Sequence, residues 1–177
     1  MSFSPEQKLK QAFLQLEFSI KLFRYFERHE INKESFDCHT KIILPDGEWS
    51  FPKSSFNTYD DLILASQNVY SSSLGLSAIA LDTVCSEAGI ANNPDDLSSK
   101  GQLRSFVYML RCAFAHDLML PKWEARGKYA RVYELELNGD KKYIDVISLN
   151  GQGLELEDFG GFLAYLAVKE EVLSWLK

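Results

Sequence analysis

Four segments of the chain carry apolar residues at spacings of three and four, and this periodicity constrains the fold more than any other feature. The segments span about residues 4–28, 58–88, 99–116 and 157–176. Such spacing gathers the apolar side chains on one face of a helix, and that face must be buried against another element. The sequence therefore predicts a mainly α fold in which four amphipathic helices share a core.

The second, third and last predicted helices indicate which of their surfaces pack against neighbouring elements. The second contains Ser71–Ser73 and Gly75, which either kink or break the helix or let another element pack closely against it. The third is predicted to bury a single apolar face, formed by Leu103, Phe106, Val107, Leu110 and Phe114. The last helix is predicted to bury another stripe, formed by Phe159, Phe162, Leu163, Leu166, Leu173 and Leu176.

Two turn signals interrupt the helical pattern and predict β-hairpins. Pro45-Asp46-Gly47 and Asn138-Gly139-Asp140 each lie between residues that favour strands. The flanking strands are predicted over residues 41–44, 48–51, 129–137 and 142–149. The expected fold is thus a four-helix bundle with one or two inserted β-hairpins.

Length and composition fit one globular domain over residues 1–177. Hydrophobic residues make up 46% of the 177 residues, which is enough for a core without a disulfide framework. Cys38, Cys85 and Cys112 are odd in number and contain no CxxC pair, which argues against structural disulfides and a zinc site. No apolar stretch approaches a membrane span and no signal peptide is evident, so a cytoplasmic location is expected.

Charge is distributed unevenly along the chain. The net charge is −6, yet residues 97–131 contain seven cations and two anions. This segment is either a docking face for a polyanion or a set of charges paired with acidic neighbours elsewhere. The cations are Lys100, Arg104, Arg111, Lys122, Arg126, Lys128 and Arg131.

Arg111 and His116 are the residues with the clearest chemical potential. Histidine exchanges protons near neutral pH, and the fixed charge of arginine suits a phosphate and a phosphoryl transition state. Five steps along an ideal helix separate two side chains by about 140° and about 7.5 Å. The pair can therefore converge only at a fraying helix end or across a dimer axis. Together they suffice for RNA cleavage through the 2′-hydroxyl.

The segment from Leu110 to His116 resembles the Arg-x4-His motif of the HEPN family, which lies at the end of the third helix of a four-helix bundle. The resemblance implies a dimeric, metal-independent endoribonuclease of toxin–antitoxin, defence or RNA-processing systems, with Arg111 and His116 as the catalytic pair. The family often has Asn, Asp or His after the arginine, where this chain has Cys112. The same segment offers Arg104, Tyr108 and Asp117 as candidate substrate-binding residues.

Other interpretations remain open at this point. One alternative is a noncatalytic interaction module, antitoxin-like or regulatory, with a cognate partner protein. Another is a nucleotide-binding protein that uses the same basic segment without cleavage. Arg111 and His116 would then only complement the helix dipole. The expected partners are a second copy, RNA or a partner protein, without membrane, metal or cofactor. A shared basic cleft would favour the enzyme, whereas a His116 packed under the second hairpin would favour the module.

Three further features have ordinary explanations. His29 and His39 lie among acidic residues and Cys38, but their spacing fits a solvated helix end better than a metal site. Cys112 beside Arg111 is either a reactive thiol or a small core residue. The three tryptophans are expected to be core or interface anchors rather than base-stacking platforms. They are Trp49, Trp123 and Trp175.

Overall fold

The computed structural model describes residues 3–176. The described residues are 55% helix, with 14% strand in two antiparallel hairpins, so the predicted mainly α class and both hairpins are confirmed. The arrangement as a four-helix bundle stays a prediction. The helices are α1 (Pro5–Glu27), α2 (Lys33–Phe36), α3 (Tyr59–Glu87), α4 (Ser99–Ala113), α5 (Val146–Leu149) and α6 (Gly161–Ser174). The strands are β1 (Thr40–Leu44), β2 (Gly47–Phe51), β3 (Val132–Leu137) and β4 (Asp140–Asp145).

The chain divides into two compact units. The smaller comprises Leu16–Tyr70, and the larger comprises the residues up to Gln15 together with those from Ser71 onward. Whether the two units form the single predicted domain stays a prediction. No helix in residues 3–176 is both long and apolar enough to cross a bilayer.

The smaller unit is organised around the buried ring of Phe26. This ring meets Phe36 edge-on at a centroid distance of 4.9 Å and Tyr59 at 6.1 Å. The carboxylate of Asp37 accepts backbone hydrogen bonds from Ser55 and Phe56 at 2.8 and 2.9 Å, which fixes the segment leading into α3. In α3 the helix runs without interruption, so the predicted alternative of a break at Ser71–Ser73 is wrong.

The larger unit is organised around Phe106 in the middle of α4. Its fully buried ring lies 5.3 Å from the ring of Phe159, 5.9 Å from Tyr133 and 6.1 Å from Trp123. These partners come from three elements that are distant in sequence, so one side chain joins α4 to both halves of the C-terminal region. All five residues of the predicted α4 face are buried, which confirms that face.

Two predicted boundaries near the second hairpin are wrong. Residues 146–149 form the single turn α5 instead of continuing the strand, because the Asp145 carboxylate accepts hydrogen bonds from the backbone of Ile147 and Ser148. The first strand begins at Val132 rather than residue 129, since Gly127–Tyr129 forms a 3₁₀ turn.

The last helix also differs from its prediction. The segment 157–176 is not one helix, because Gly160 and Gly161 adopt positive φ angles of 108° and 80° between a 3₁₀ turn (Leu156–Phe159) and α6. The buried face of α6 is not the predicted stripe, and Leu163 is 77% exposed. The face consists of Ala164, Tyr165, Ala167, Val168 and Val172. Small residues here allow close packing, and the Tyr165 hydroxyl lies 2.7 Å from that of Ser77.

A buried ion pair joins α4 to α3. The Arg104 side chain is 4% exposed and donates to the Asp82 carboxylate at 2.7 Å. Two further donors bond the Ile90 carbonyl at 3.1 Å and the Ser86 hydroxyl at 3.3 Å. Removing this buried guanidinium would lower stability, because the charged Asp82 carboxylate would lose its partner.

We expect Arg104→Met to lower the free energy of unfolding by about 3 kcal/mol, since Asp82 loses its counter-ion in a largely buried site. Urea denaturation measures the change. Arg28→Met is the matched control, because the Arg28 side chain is 59% exposed and its nearest carboxylate is 3.9 Å away. Equal effects of the two substitutions would contradict the assigned role.

Candidate active site

His116 lies in a loop that follows α4, and not on the helix as predicted. The helix ends at Ala113, whose carbonyl accepts a hydrogen bond from the Lys122 backbone at 3.1 Å. Within the loop, the Asp117 carboxylate accepts hydrogen bonds from the backbone of Met119 and Leu120 at 2.8 and 3.0 Å. These bonds close residues 114–121 into a structured loop, which frees His116 from the angular separation of an ideal helix.

The loop packs closely against Gly75 of α3. A β-carbon at position 75 would lie 2.5 Å from Leu118 Cδ2 and 2.9 Å from Phe114 Cδ1, closer than real contacts allow. Phe114 is 3% exposed, so its ring has little room to move. The close packing predicted as one alternative for Gly75 is therefore confirmed, and its neighbours flank His116 in sequence.

His116 borders an open cavity of about 240 Å³. Its side chain is 73% exposed, and its Nε2 lies 3.4 Å from Oε1 of Glu124. The histidine is thus accessible to a ligand and is not packed under the second hairpin. The cavity is lined by Ala113, His116, Asp117, Leu120, Lys122 and Glu124.

Glu124 is presented by a segment whose backbone is fixed on both sides. Trp123 is fully buried, donates its indole N–H to Asp158 at 2.7 Å, and bonds the backbone of Gln152 and Gly151. The backbone N–H of Ala125 donates to the Asn150 side chain at 2.8 Å. Because Trp123 and Ala125 face inward, Glu124 faces the cavity. Its second carboxylate oxygen lies 3.4 Å from Arg126.

Arg111 does not line the cavity with His116. It is half-buried on the last turn of α4 and makes no ion pair with another residue in the range 3–176. The structure therefore does not bring the two residues of the motif into one cleft within a single chain. An unpaired guanidinium beside the cavity-bearing loop still offers all of its donors to an anion.

The three predicted substrate-binding residues lie in different surroundings. Arg104 is buried and each of its three guanidinium nitrogens donates a hydrogen bond within the protein, which fits a structural role rather than contact with a substrate. Tyr108 is half-buried and its ring lies tilted against that of Tyr129 at a centroid distance of 4.9 Å, and a hydrogen bond with the Cys112 thiol raises the pKa of its phenol. Asp117 borders the cavity, although one of its carboxylate oxygens serves the loop backbone.

Some of the cations of residues 97–131 are paired with carboxylates and others are not, and binding of a polyanion stays a prediction. Arg104 and Lys128 pair with Asp82 and Asp95, and Arg126 approaches Glu124. Arg111 and Lys122 make no ion pair with any residue that the structure describes. Only part of the basic segment is thus available to a polyanion, and Lys122 is the member that borders the cavity.

Sequence reasoning missed Glu124 and the local importance of Lys122. Both belong to the short run Pro121-Lys122-Trp123-Glu124, which shows no periodicity and matches no known motif. A usable signal was the alternation of the buried Trp123 with the charged residues on either side of it, a pattern typical of extended chain with one face in the core.

In the smaller unit, His29 and His39 each contact a neighbouring side chain of the fold. The His29 ring stacks on Tyr59 at 4.2 Å, and His39 lies 2.6 Å from the Ser50 hydroxyl. Within residues 3–176, no group of three or more His, Cys, Asp or Glu side chains is arranged to hold a metal ion.

Comparison of the chain with protein-family models, with curated proteins and with solved structures found no significant match.

We expect Gly75→Ala to destabilise the protein by about 1–3 kcal/mol, because the added methyl group displaces Phe114 and Leu118. The sign is diagnostic, since the same change in a helix without close contacts stabilises by up to about 1 kcal/mol. Urea denaturation gives the free energy. Gly153→Ala is the control, because a β-carbon there meets nothing within 4 Å. A neutral or stabilising Gly75→Ala would contradict the close contact.

Proposed function

We propose that this protein is a metal-independent endoribonuclease of the HEPN type, in which His116 exchanges the protons. The observation that carries the proposal is the exposed His116 imidazole, 3.4 Å from Glu124 in an open cavity that also contains Lys122. A histidine with a carboxylate on one ring nitrogen is a common arrangement for general acid–base catalysis, because the carboxylate orients the ring and fixes its tautomer. The resemblance of residues 110–116 to the family motif points to RNA as the substrate.

The proposed reaction uses the chemistry of the substrate itself. Glu124, whose Oε1 lies 3.4 Å from Nε2, orients the ring, and His116 takes the proton of the 2′-hydroxyl through Nδ1. The 2′ oxygen forms a bond to phosphorus, and the bond to the 5′ oxygen breaks. That oxygen leaves as a hydroxyl with a proton from water, the hydroxide so formed takes the proton from His116, and a 2′,3′-cyclic phosphate remains. DNA lacks the attacking hydroxyl and is not a substrate.

Two cations supply the charge that the phosphate requires. Lys122 borders the cavity and makes no ion pair with a described residue, so its ammonium group is free to bind a phosphate oxygen. Arg111 is likewise unpaired and lies one turn before the loop. In the family, two copies of the motif face each other across a dimer. We propose the same here, with Arg111 contacting the phosphate in the dimer that the resemblance implies.

We expect His116→Asn and Arg111→Ala each to lower the rate of RNA cleavage by at least about a hundredfold while leaving the fold intact. Cleavage of a labelled structured RNA in excess EDTA is measured, with detection of 2′,3′-cyclic phosphate ends. His39→Asn and Arg28→Ala are the matched controls, since both side chains are exposed in the smaller unit. Equal cleavage by all variants, or complete inhibition by EDTA, would refute the proposal.

Glu124 is proposed as a positioning residue, and we expect Glu124→Gln to lower cleavage by about tenfold. An amide accepts a weaker hydrogen bond from Nε2–H, so the ring should populate both tautomers. Nitrogen NMR of the His116 ring measures the tautomer ratio directly, a quantity that a loss of stability alone would not change. An unaltered ratio together with unaltered cleavage would remove Glu124 from the mechanism.

A noncatalytic interaction module is the second candidate. The observation in its favour is that Arg111 and His116 do not share one cavity within the chain, and that three of the seven cations near them have carboxylate partners. A module of this kind would be antitoxin-like or regulatory, would bind a partner protein, and would tolerate substitution of His116. The cleavage experiment separates the two candidates.

A further inference from the structure

Asp117 has one carboxylate oxygen that the loop uses and one that it leaves free. Its Oδ1 accepts the backbone hydrogen bonds of Met119 and Leu120 at 2.8 and 3.0 Å. Its Oδ2 makes no hydrogen bond or ion pair with a residue in the described range 3–176. The two N–H groups on Oδ1 set the orientation of the carboxylate. The second oxygen is therefore available to a ligand, and Asp117 lines the cavity that His116 borders.

The same cavity also has an apolar part. Ala113 and Leu120 line it together with the charged side chains, and the Leu120 side chain is 69% exposed. The backbone N–H of Leu120 is one of the two that Asp117 binds, so one loop positions both the apolar surface and the free oxygen. A nucleobase combines an apolar face with a polar edge, and single-stranded RNA presents its bases to proteins in this way. The cavity thus has the two features that a base requires.

A carboxylate oxygen discriminates among the bases because it accepts hydrogen bonds and donates none. The Watson–Crick edge of guanine carries two adjacent donors, N1–H and the N2 amino group. On adenine and cytosine the single amino donor lies next to an acceptor ring nitrogen, whose lone pair repels a carboxylate. Uracil has one N–H group between two carbonyl acceptors. Guanine is therefore the base whose edge a carboxylate in this position favours most.

We propose that Asp117 is a specificity-determining residue, whose Oδ2 accepts hydrogen bonds from N1–H and N2–H of a guanine base. This inference rests on the proposed function, since it takes RNA as the substrate. His116 and Asp117 are consecutive, so the guanine belongs to the nucleotide whose 2′-hydroxyl His116 deprotonates. That nucleotide keeps the phosphate after cleavage. The products therefore end in guanosine 2′,3′-cyclic phosphate.

Binding of single nucleotides tests the assignment without requiring cleavage. Guanosine 3′-monophosphate is titrated into the wild-type protein and followed by NMR, beside the 3′-monophosphates of adenosine, cytidine and uridine. The guanosine nucleotide is expected to bind at least about tenfold more tightly than the other three, because a base edge with two matched hydrogen bonds discriminates by about this factor or more. Equal dissociation constants for the four nucleotides, or no binding of any of them, would overturn the assignment.

Asp117→Asn changes the free position from an acceptor to a donor. The amide oxygen still accepts the two loop N–H bonds, which places the amide NH₂ where Oδ2 was. Donors then face donors, so the preference for guanosine 3′-monophosphate is expected to disappear. Asp145→Asn is the matched control, because Asp145 Oδ1 accepts the backbone bonds of Ile147 and Ser148 in the same way outside the cavity. A preference that survives Asp117→Asn, or an equal loss in Asp145→Asn, would contradict the role.

Mapping of the cleaved ends separates this inference from the proposed function. RNA that contains every dinucleotide is incubated with wild type in excess EDTA, and the 2′,3′-cyclic ends are sequenced. Ends that are mostly guanosine support the inference, whereas cleavage without base preference would overturn it and leave the proposed ribonuclease standing. No cleavage together with selective binding of guanosine 3′-monophosphate would refute the ribonuclease and leave Asp117 as a guanine-binding residue.

Discussion

The packing of α4 on the second half of α3 is the constraint on which the larger unit depends. Two contacts of different kinds fix it, the Arg104–Asp82 ion pair near the start of α4 and the approach of Phe114 to Gly75 at its end. Position 75 precedes position 82 in α3, whereas their partners occur in the reverse order, so the two helices run antiparallel. The ion pair and the close steric contact lie at opposite ends of α4, so both would be lost if the two helices shifted relative to each other.

Prediction from sequence succeeded where the structure is determined locally. The apolar face of α4 and both hairpin turns follow from spacing and turn residues, and the structure has them at the expected positions. The end of α4 does not follow from spacing, because the Ala113 carbonyl takes its hydrogen bond from Lys122, which is nine residues further along. The buried face of α6 was missed for a related reason, since its fully buried residues are alanines, valines and a tyrosine rather than its leucines.

In the candidate site, too, features set by the local sequence could be predicted, whereas those set by residues distant in sequence could not. His116 was identified from its type and its distance from Arg111, and the structure leaves it accessible. Its carboxylate neighbour was not identified, because Glu124 reaches the cavity only through the hydrogen bonds that fix Trp123 and Ala125 to residues 150–152. The burial of Arg104 was equally hidden, since its acceptors lie on α3 and in the segment that follows it. A single sequence does not encode such pairings in any periodic form.

The hydrogen bond between Ala113 and Lys122 has a consequence for how this protein can change over evolutionary time. It brings the two ends of the loop at residues 114–121 together, while Phe114 anchors the loop to α3. Surface loops with adjoining ends accept insertions and replacements at low cost, because the scaffold on either side keeps its own contacts. The exposed positions Ala115, Met119 and Leu120 are therefore places where new specificities can arise, or be introduced by design, without redesign of the core.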